Sequence, residues 1–290
     1  MTNPITLSES QWNTVMQTVH DEALKARVAA SFLPLFGPLD GDVQTVPRNI
    51  FEISDDGHME VLDYENVRLA TLSVNVSLKN AQLADPELTS AMIMFRRAAE
   101  IMARVEDAII FNGQSGVDGG PNDGVAKSPG MQNVFKVGGG EPSGGLLEAG
   151  SGNAVRIEPP DPKHDKGQRV FSGVVEAINK IEGKGFHGPF ACVLGDELFT
   201  AINTPMPNSM VLPRDAILPF LDAPLLRSSA LPPKEGLLVS LRGAPVEIVV
   251  PSDITVRHLT TTPEAKHVFR VQQKFVLRVK EAEAVARLHT

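Results

Sequence analysis

The sequence predicts an α+β protein. A long amphipathic helix from Asp85 to Gly113 has the clearest helical pattern in the chain. Two runs in which apolar and polar residues alternate, Leu72–Leu78 and Phe269–Val279, predict half-buried strands. Helices and strands follow one another without a regular strand–helix–strand repeat, which favours the α+β class. The 290 residues allow one large domain or two smaller ones.

An N-terminal helix is predicted to begin at Ser8. Ser8 and Gln11 have the spacing of a capping box. Apolar residues follow at helical intervals, namely Val15, Val19, Ala23, Ala26 and Ala30. The segment Leu33–Pro38 contains two prolines and ends the helix. The apolar face of this helix is narrow and partly alanine. We expect the helix to pack on the body of the chain, with packing on a partner protein as the alternative.

The next segment, Val46–Leu72, is predicted to be extended. Asp55-Asp56-Gly57 forms a turn between two β-prone runs. A two-stranded arm of this kind has little core of its own and is marginally stable alone. The arm is therefore expected to need another surface, within the chain or on a neighbouring subunit.

The long helix has recognisable start and stop signals. Asp85 can cap it, Pro86 suits its first position, and Asn112-Gly113 can end it. Its apolar face consists of Leu88, Met92, Phe95, Ala99, Met102 and Ile109, interrupted by Glu106. The helix would be roughly 39 Å long, and without a catalytic pair it is interpreted as a structural spine.

Residues Gln114–Lys166 are rich in Gly, Pro, Ser and Asp, and they are interpreted as a partly mobile surface excursion. Gly150-Ser151-Gly152 lacks the preceding strand, the third glycine and the lysine–serine ending of nucleotide-binding loops. Further on, the sequence predicts a helix at Arg169–Ile181, a strand at Phe190–Leu194 and a short helix at Leu198–Ile202. A rigid loop follows at Thr204–Ser209, and two strands around Arg242-Gly243 are predicted within Leu237–Val250.

Composition restricts the possible partners and location. The net charge of −8 does not favour nucleic acid or an anionic membrane as a partner. No apolar run approaches eighteen residues, and the N-terminus lacks the pattern of a signal peptide, so a cytoplasmic protein is expected. Cys192 is the single cysteine and lies in an apolar run, where a buried, inert thiol is favoured over a reactive one.

No catalytic or metal-binding motif is recognisable. None of the seven histidines has metal-ligand spacing to another His or to a Cys pair. The serine-hydrolase elbow and the His-Glu-x-x-His motif are absent. Glu106 and Asp107 are adjacent on a helix and point about 100° apart. A capping or ion-pair role is therefore favoured for them over catalysis.

Taken in order, several segments resemble the encapsulins, the linocin-like bacteriocin family of shell proteins. The similar segments are Leu7–Trp12, Phe32-Leu33 with Phe36-Gly37-Pro38, Glu106–Gly113 with Ser115-Gly116-Val117, Gly188–Leu194 without Ala191, and Gly236–Gly243. The resemblance covers most of the chain except residues 118–166. It implies the Hong Kong 97-type fold of phage major capsid proteins and a non-enzymatic, self-assembling icosahedral shell that sequesters a cargo enzyme.

The resemblance also implies a division into parts. Residues 1–45 would form the N-terminal helix and arm, and 46–71 the extended loop that lies across a neighbouring subunit. Residues 72–187 and 251–290 would form the peripheral domain, with 118–166 as an insertion that decorates a shell surface. Residues 188–250 would form the axial domain. The loop of this domain near the five-fold pore would consist of Pro205, Met206, Pro207, Asn208 and Ser209.

In this family, the N-terminal helix and the adjoining sheet bind a short C-terminal targeting peptide of the cargo. The matching positions are Leu24, Val28, Phe32, Leu33, Ile254 and Val256. Ala30 and Pro34 stand where members often have Arg and an acid, so apolar burial would carry the docking. Some members bind a flavin near the start of the spine. Val76–Ala84 has neither Trp nor Tyr, so no cofactor is expected.

Two other functions remain as alternatives. A prophage major capsid protein shares the fold, but it is normally matured by proteolysis of a long N-terminal scaffold segment, for which there is no room before Trp12. An enzyme such as a protease or peroxidase is less favoured, because no nucleophile, metal or haem motif is recognisable.

Overall fold

Two five-stranded sheets with their helices build most of the chain. The computed structural model describes residues 7–53, 56–114, 134–160, 165–205 and 211–290. The helices are α1 Glu9–Ala26, α2 Asn80–Leu83, α3 Thr89–Asn112, α4 Gly145–Ala149, α5 Lys166–Glu182, α6 Asp196–Ile202 and α7 Pro213–Leu221. The strands are β1 Leu35–Phe36, β2 Thr45–Pro47, β3 Ile50–Ile53, β4 Met59–Leu62, β5 Asn66–Arg68, β6 Ala70–Lys79, β7 Phe135–Gly139, β8 Val155–Arg156, β9 Phe190–Leu194, β10 Leu225–Arg227, β11 Glu235–Ser240, β12 Val246–Thr261, β13 Lys266–Val279 and β14 Val285–His289.

The first sheet has the order β1-β12-β13-β6-β7. β6 and β13 pair antiparallel along their length, from Lys79 opposite Lys266 to Ala70 opposite Phe275. Their alternating side chains face α3, and α1 packs on both α3 and β12. We call this unit the first core. At its centre Phe95 of the spine helix α3 meets Phe269 of β13 edge-to-face at 5.6 Å.

The second sheet has the order β10-β9-β11-β14-β8, and α5, α6 and α7 cover it. β9 is buried at every position, which matches the uninterrupted apolar run Phe190–Leu194. The apolar face of α5 packs on this sheet through Val170, Val174 and Ile181. We call this unit the second core. Since it includes α5 and β14, it draws on the range that the sequence predicts for the peripheral domain.

The extended segment forms an arm of two short antiparallel pairs. β2 pairs with β5 at its base, and β3 pairs with β4 further out. Three side chains on the outer pair, Phe51, Met59 and Val61, are exposed. The predicted hairpin is therefore confirmed, although the turn residue Asp55 lies outside the described residues.

The start of the spine helix differs from prediction. α3 begins at Thr89 rather than Pro86, because the Asp85 carboxylate accepts the N–H groups of Glu87 and Thr89 and holds a turn first. The predicted end is confirmed. Gly113 has φ +80°, and a Cβ there would lie only 1.6 Å from the Ser143 carbonyl oxygen, so the position requires glycine.

The two strands predicted around Arg242-Gly243 are present as β11 and β12, but they do not pair with each other. β11 lies in the second sheet between β9 and β14, whereas β12 lies in the first sheet. The turn at Arg242-Gly243 reverses the chain direction, but it connects a strand of the second sheet to a strand of the first sheet. The prediction that Gln114–Lys166 is a surface excursion is wrong in part, since β7 pairs with β6 and α4 buries Leu146 and Leu147.

Candidate functional site

Four of the six predicted docking residues, Leu24, Val28, Phe32 and Leu33, lie at or just after the end of α1, and Val256 lies against Met16 of the same helix. This helix buries Val15, Val19 and Ala23 and is closed at its start by the predicted capping box of Ser8 and Gln11. It stops at Ala26, earlier than the prolines of Leu33–Pro38 predict, and a short 3₁₀ turn, Ala29–Ser31, follows.

A buried carboxylate of the spine explains why α1 ends there. Asp107 accepts the backbone N–H of Val28 at 2.9 Å and that of Ala29 at 2.8 Å. These N–H groups are consequently not available to continue the helix. Arg27 takes an extended conformation, with ψ at 126°, and its side chain turns inward.

The buried Arg27 side chain lies at the centre of a polar network that extends from the core to the surface. Its Nε donates to Glu106 Oε2 at 2.8 Å, and Nη2 donates to Gln273 Oε1 at 2.7 Å. Nη1 lies 3.5 Å from Asp253 Oδ1, and the other oxygen of Asp253 lies 2.8 Å from His20 Nδ1. We call these five residues the Arg27 network. They join α1, the spine, β12 and β13 at one point.

Burial sets the protonation of the two adjacent carboxyls. Desolvation raises the pKa of Glu106, and the positive charge of Arg27 opposes that rise. Desolvation likewise raises the pKa of Asp107, from 3.8 to about 7, against the hydrogen bonds from Ala29 and Val28. The contacts of both groups are those of a cap and an ion pair, as the sequence predicts for this acidic pair.

The six predicted docking residues differ in exposure. Leu24 is 50% exposed, while Val28 and Phe32 are partly buried against the first core. Leu33, Ile254 and Val256 are buried. Val256 lies against α1, since its N–H approaches Met16 Sδ at 3.3 Å. Only the first three therefore present surface to a partner in the single chain.

Of the predicted pore loop, Pro205 is described, and Met206, Pro207, Asn208 and Ser209 lie outside the described residues. Cys192 is fully buried in β9, as predicted, and burial raises the pKa of its thiol to about 12. Across the described ranges, no cluster of three His, Cys, Asp or Glu side chains could hold a metal ion. In the same ranges, no helix is long and apolar enough to cross a membrane.

Sequence reasoning missed the Arg27 network and a cavity beside it. The cavity of about 340 Å³ lies between the end of α1, the spine and the loop after β10. The sequence signal for the network was Glu106, which interrupts an otherwise apolar face. Its partner Arg27 lies 79 residues earlier in the chain, so no local pattern connects the two.

Comparison with known proteins agrees with the fold and identifies the family. The type 1 encapsulin shell protein EncA of Myxococcus xanthus is 23% identical over 97% of this chain and 93% of its own length. The virus-like particle of Pyrococcus furiosus matches 97% of this chain and 100% of its own with a TM-score of 0.68 at 12% identity. The capsid of the Myoviridae phage XM1 matches 90% of each chain with a TM-score of 0.61 at 14% identity.

The structural likenesses show that the chain shares its fold with a virus-like particle and a phage capsid. The family model described as "Encapsulating protein for peroxidase" goes beyond the fold, since its match extends over residues 3–130 and 132–276, most of the chain. The chain therefore belongs to this family of encapsulating proteins, the encapsulin shell proteins.

Proposed function

We propose that copies of this chain assemble into a closed icosahedral shell, an encapsulin nanocompartment in the cytoplasm, which sequesters a cargo enzyme. Membership of the family supports the proposal. The structural observation that carries it is the arm, which has apolar surface that its own chain does not cover.

The outer pair of the arm has one apolar face. Phe51 lies opposite Val61 in the register of β3 and β4, and Met59 is two residues from Val61 on the same face. The exposed fractions of Phe51, Val61 and Met59 are 46%, 51% and 80% respectively. Monomeric proteins rarely leave such a surface on an isolated hairpin, which is itself marginally stable. A neighbouring copy of the chain would supply the missing cover.

A shell imposes a particular kind of contact. Neighbours related by a rotation meet through different surfaces, and such heterologous contacts must close to form a finite particle. Obligate interfaces bury about 2,000 Å² or more. The arm would supply one such contact, with residues 46–71 lying across the adjacent subunit. Within the shell, residues 188–250 would form the axial domain, with Pro205–Ser209 near its five-fold pore. Residues 72–187 and 251–290 would form the peripheral domain.

The same proposal assigns the cargo site to the end of α1. A short targeting peptide at the C-terminus of the cargo enzyme would bury apolar side chains against Leu24, Val28 and Phe32, at about 25 cal/mol per Å² of apolar surface. Leu33, Ile254 and Val256 are buried in the first core, against which Val28 and Phe32 pack. They would therefore act as its support rather than as direct contacts.

Light scattering coupled to size-exclusion chromatography, followed by electron microscopy of the peak, tests the shell. We expect a hollow particle of megadalton mass. A species near the chain mass of 31.2 kDa, or a small oligomer that persists across salt and pH, would contradict the proposal.

Co-expression with a candidate cargo, an enzyme that ends in a short apolar, glycine-containing tail, tests the cargo site. Leu24→Asp and Phe32→Asp should both reduce the cargo per particle, whereas Leu259→Asp, a similarly exposed apolar position on β12, should not. Leu24→Asp is the stricter test because it does not disturb the core. Unchanged loading in that variant would place the peptide elsewhere and leave the shell proposal intact.

A phage capsid is the second candidate, because the capsid of phage XM1 shares the fold. Neighbouring portal and terminase genes would favour it. A neighbouring enzyme gene whose product ends in a short apolar, glycine-containing tail would favour the nanocompartment.

A further inference from the structure

The outer face of the first sheet, which points away from the spine, carries a concentration of positive charge. On β6 the buried residues at even positions face α3, so the odd positions and the residues paired with them form the outer face. β6, β7 and β13 contain no Asp or Glu, and neither does β12 from Thr255 to Thr261. The outer face instead has six cationic side chains, which we call the basic face: Lys79, Lys136, Arg257, Lys266, Arg270 and Lys274.

Most of these cations have no partner of opposite charge. Arg270 donates to Asn75 Oδ1 at 3.2 Å, and Lys274 donates to a backbone carbonyl at 2.9 Å, so both acceptors are neutral. Lys266 lies 3.6 Å from the exposed Glu264 on the turn between β12 and β13. The remaining three form no ion pair with the described residues, namely Lys79, Lys136 and Arg257. The positive charge of the basic face is therefore largely uncompensated within one chain.

Two pairs of cations stand directly opposite each other on neighbouring strands. Arg257 of β12 lies opposite Arg270 of β13, and Lys79 of β6 lies opposite Lys266 of β13. The Cβ atoms of directly opposite residues are about 5 Å apart, and like charges at such positions destabilise a sheet. A partner with negative charge would remove this repulsion. The arrangement therefore favours binding of an anionic partner over the stability of the single chain.

The outer part of the arm has the complementary charge. Residues 49–63 contain neither Lys nor Arg but five acids: Glu52, Asp55, Asp56, Glu60 and Asp63. Glu52 stands opposite Glu60 in the register of β3 and β4, so the arm also brings like charges together. Glu60 points to the side of this ribbon away from Met59 and Val61. The arm thus has an acidic side as well as its apolar face.

We propose that the basic face binds the acidic side of the arm of a second copy of this chain, an inference that rests on the proposed shell. The arm of the same chain joins β6 at Ala70, whereas Lys79 lies at the other end of this strand, about 30 Å away. The net charge of −8 opposes a nucleic acid as the occupant. The apolar face of the arm would then contact a different part of the shell. Because several carboxylates share the contact, no single one is required for particles to form.

Zero-length carbodiimide cross-linking of the particles, followed by mass spectrometry of the peptides, tests the contact. Particles assembled from mixed unlabelled and isotope-labelled subunits distinguish links between copies from links within one copy. We expect links between copies from Lys79 or Lys266 to an acid within residues 49–63, and none of these links in dissociated subunits. Full-sized particles without such links would overturn the contact and leave the shell proposal intact. Failure of the unaltered chain to form particles would instead contradict both.

Charge variants give an independent measurement, the rate at which particles dissociate in urea, followed by light scattering. At about 0.05 M sodium chloride, Arg257→Gln and Lys79→Gln should each dissociate about two- to fivefold faster than the unaltered particle, the effect of one exposed ion pair. The difference should shrink at about 0.5 M, where salt screens the contact. Arg242→Gln makes the same change on an exposed turn outside the basic face and should dissociate as the unaltered particle does.

The dissociated subunit separates a contact with a partner from a role in folding. There Arg257→Gln should leave the unfolding midpoint unchanged or raise it, because the repulsion from Arg270 is removed. A lowered midpoint in the subunit, or equal dissociation rates for the Arg257 and Arg242 variants, would contradict the proposal. Nucleic acid that co-purifies with the particles and is lost in Arg257→Gln would also overturn it, because a polynucleotide would then occupy the basic face.

Discussion

At the scale of single residues, the adjacent acids Glu106 and Asp107 on the spine have different structural roles. Glu106 pairs with Arg27, while Asp107 caps the turn after α1. Both are buried, so the polar partners are required for the fold rather than merely compatible with it. Together they fix where the N-terminal helix ends relative to the spine.

Removal of the buried guanidinium should be costly. Arg27→Met leaves Glu106 buried without its cation and Gln273 without its donor, so we expect a destabilisation of about 3 kcal/mol or more. The thermal unfolding midpoint of the purified protein measures it. Arg48→Met removes an arginine whose pair with Glu65 is nearly half exposed and should cost less than about 1 kcal/mol. Equal midpoints for the two variants would show that the Arg27 network is not a source of stability.

Asp107 should make stability depend on pH. Its pKa is raised to about 7 in the folded chain from 3.8, so the folded state binds the proton more tightly than the unfolded state does. The stability that the proton on Asp107 adds to the folded state is fully present below about pH 3.8. It is lost as the pH rises towards 7, by at most about 1.4 kcal/mol per pH unit. Asp107→Asn keeps an oxygen acceptor for Val28 and Ala29 but does not ionise.

Comparing the unaltered chain with Asp107→Asn separates the effect of the Asp107 proton from other effects of pH. Between pH 4 and 7 the unfolding midpoint of the unaltered chain should fall relative to that of Asp107→Asn. From pH 7 to 8 the difference between the two midpoints should stay constant. Asp42→Asn, at an exposed position, should leave the pH profile unchanged. A constant difference between Asp107→Asn and the unaltered chain from pH 4 to 8 would contradict the assignment.

At the scale of elements, the sequence predicts what is encoded within a few neighbouring residues. The spine, α5, β6, β9 and β13 are all found because each run shows a period of 3.6 or 2, or an uninterrupted apolar stretch. The two strands around Arg242-Gly243 are found as β11 and β12, but the turn residues indicate only that the chain reverses, not that the two strands lie in different sheets. β14 was missed for a related reason: it is a five-residue strand whose partner β11 lies about fifty residues earlier in the chain, so only tertiary packing identifies it.

The arm is the element whose behaviour should distinguish a subunit from a monomer. Its base is secured because Arg278 Nη1 donates to the Pro47 carbonyl at 3.0 Å and the guanidinium stacks over Phe36 at 4.6 Å. Met59→Asp with Val61→Asp should abolish particles while leaving both cores folded, because neither side chain belongs to a core. Light scattering and circular dichroism measure the two effects.

The matched control for the arm is on the same strand. Glu60 lies between the two substituted residues and points to the other face of β4. Glu60→Gln should assemble as the unaltered chain does. Particles of normal mass from the double aspartate variant would mean that the apolar face of the arm is not an assembly contact.

At the scale of the whole molecule, the single cysteine provides a reporter of folding that is independent of assembly. Cys192 is fully buried in the second sheet, and its thiol has a pKa of about 12, so it should not react with a thiol reagent in either the subunit or the particle. Its reaction in denaturant should follow unfolding of the second core. A second thiol can then be introduced without an interfering background.

Met59→Cys places that second thiol on the arm, at a side chain that is 80% exposed in the single chain. If a neighbouring copy covers the arm, the new thiol reacts rapidly in dissociated subunits and at least about tenfold more slowly in particles, because the reagent must wait for the contact to open. Ser229→Cys, exposed on the loop after β10, reports the accessibility of a site away from the arm. Protection of the arm thiol alone would show that assembly covers the arm, whereas equal rates for this thiol in subunit and particle would show that the arm remains solvent-exposed in the shell.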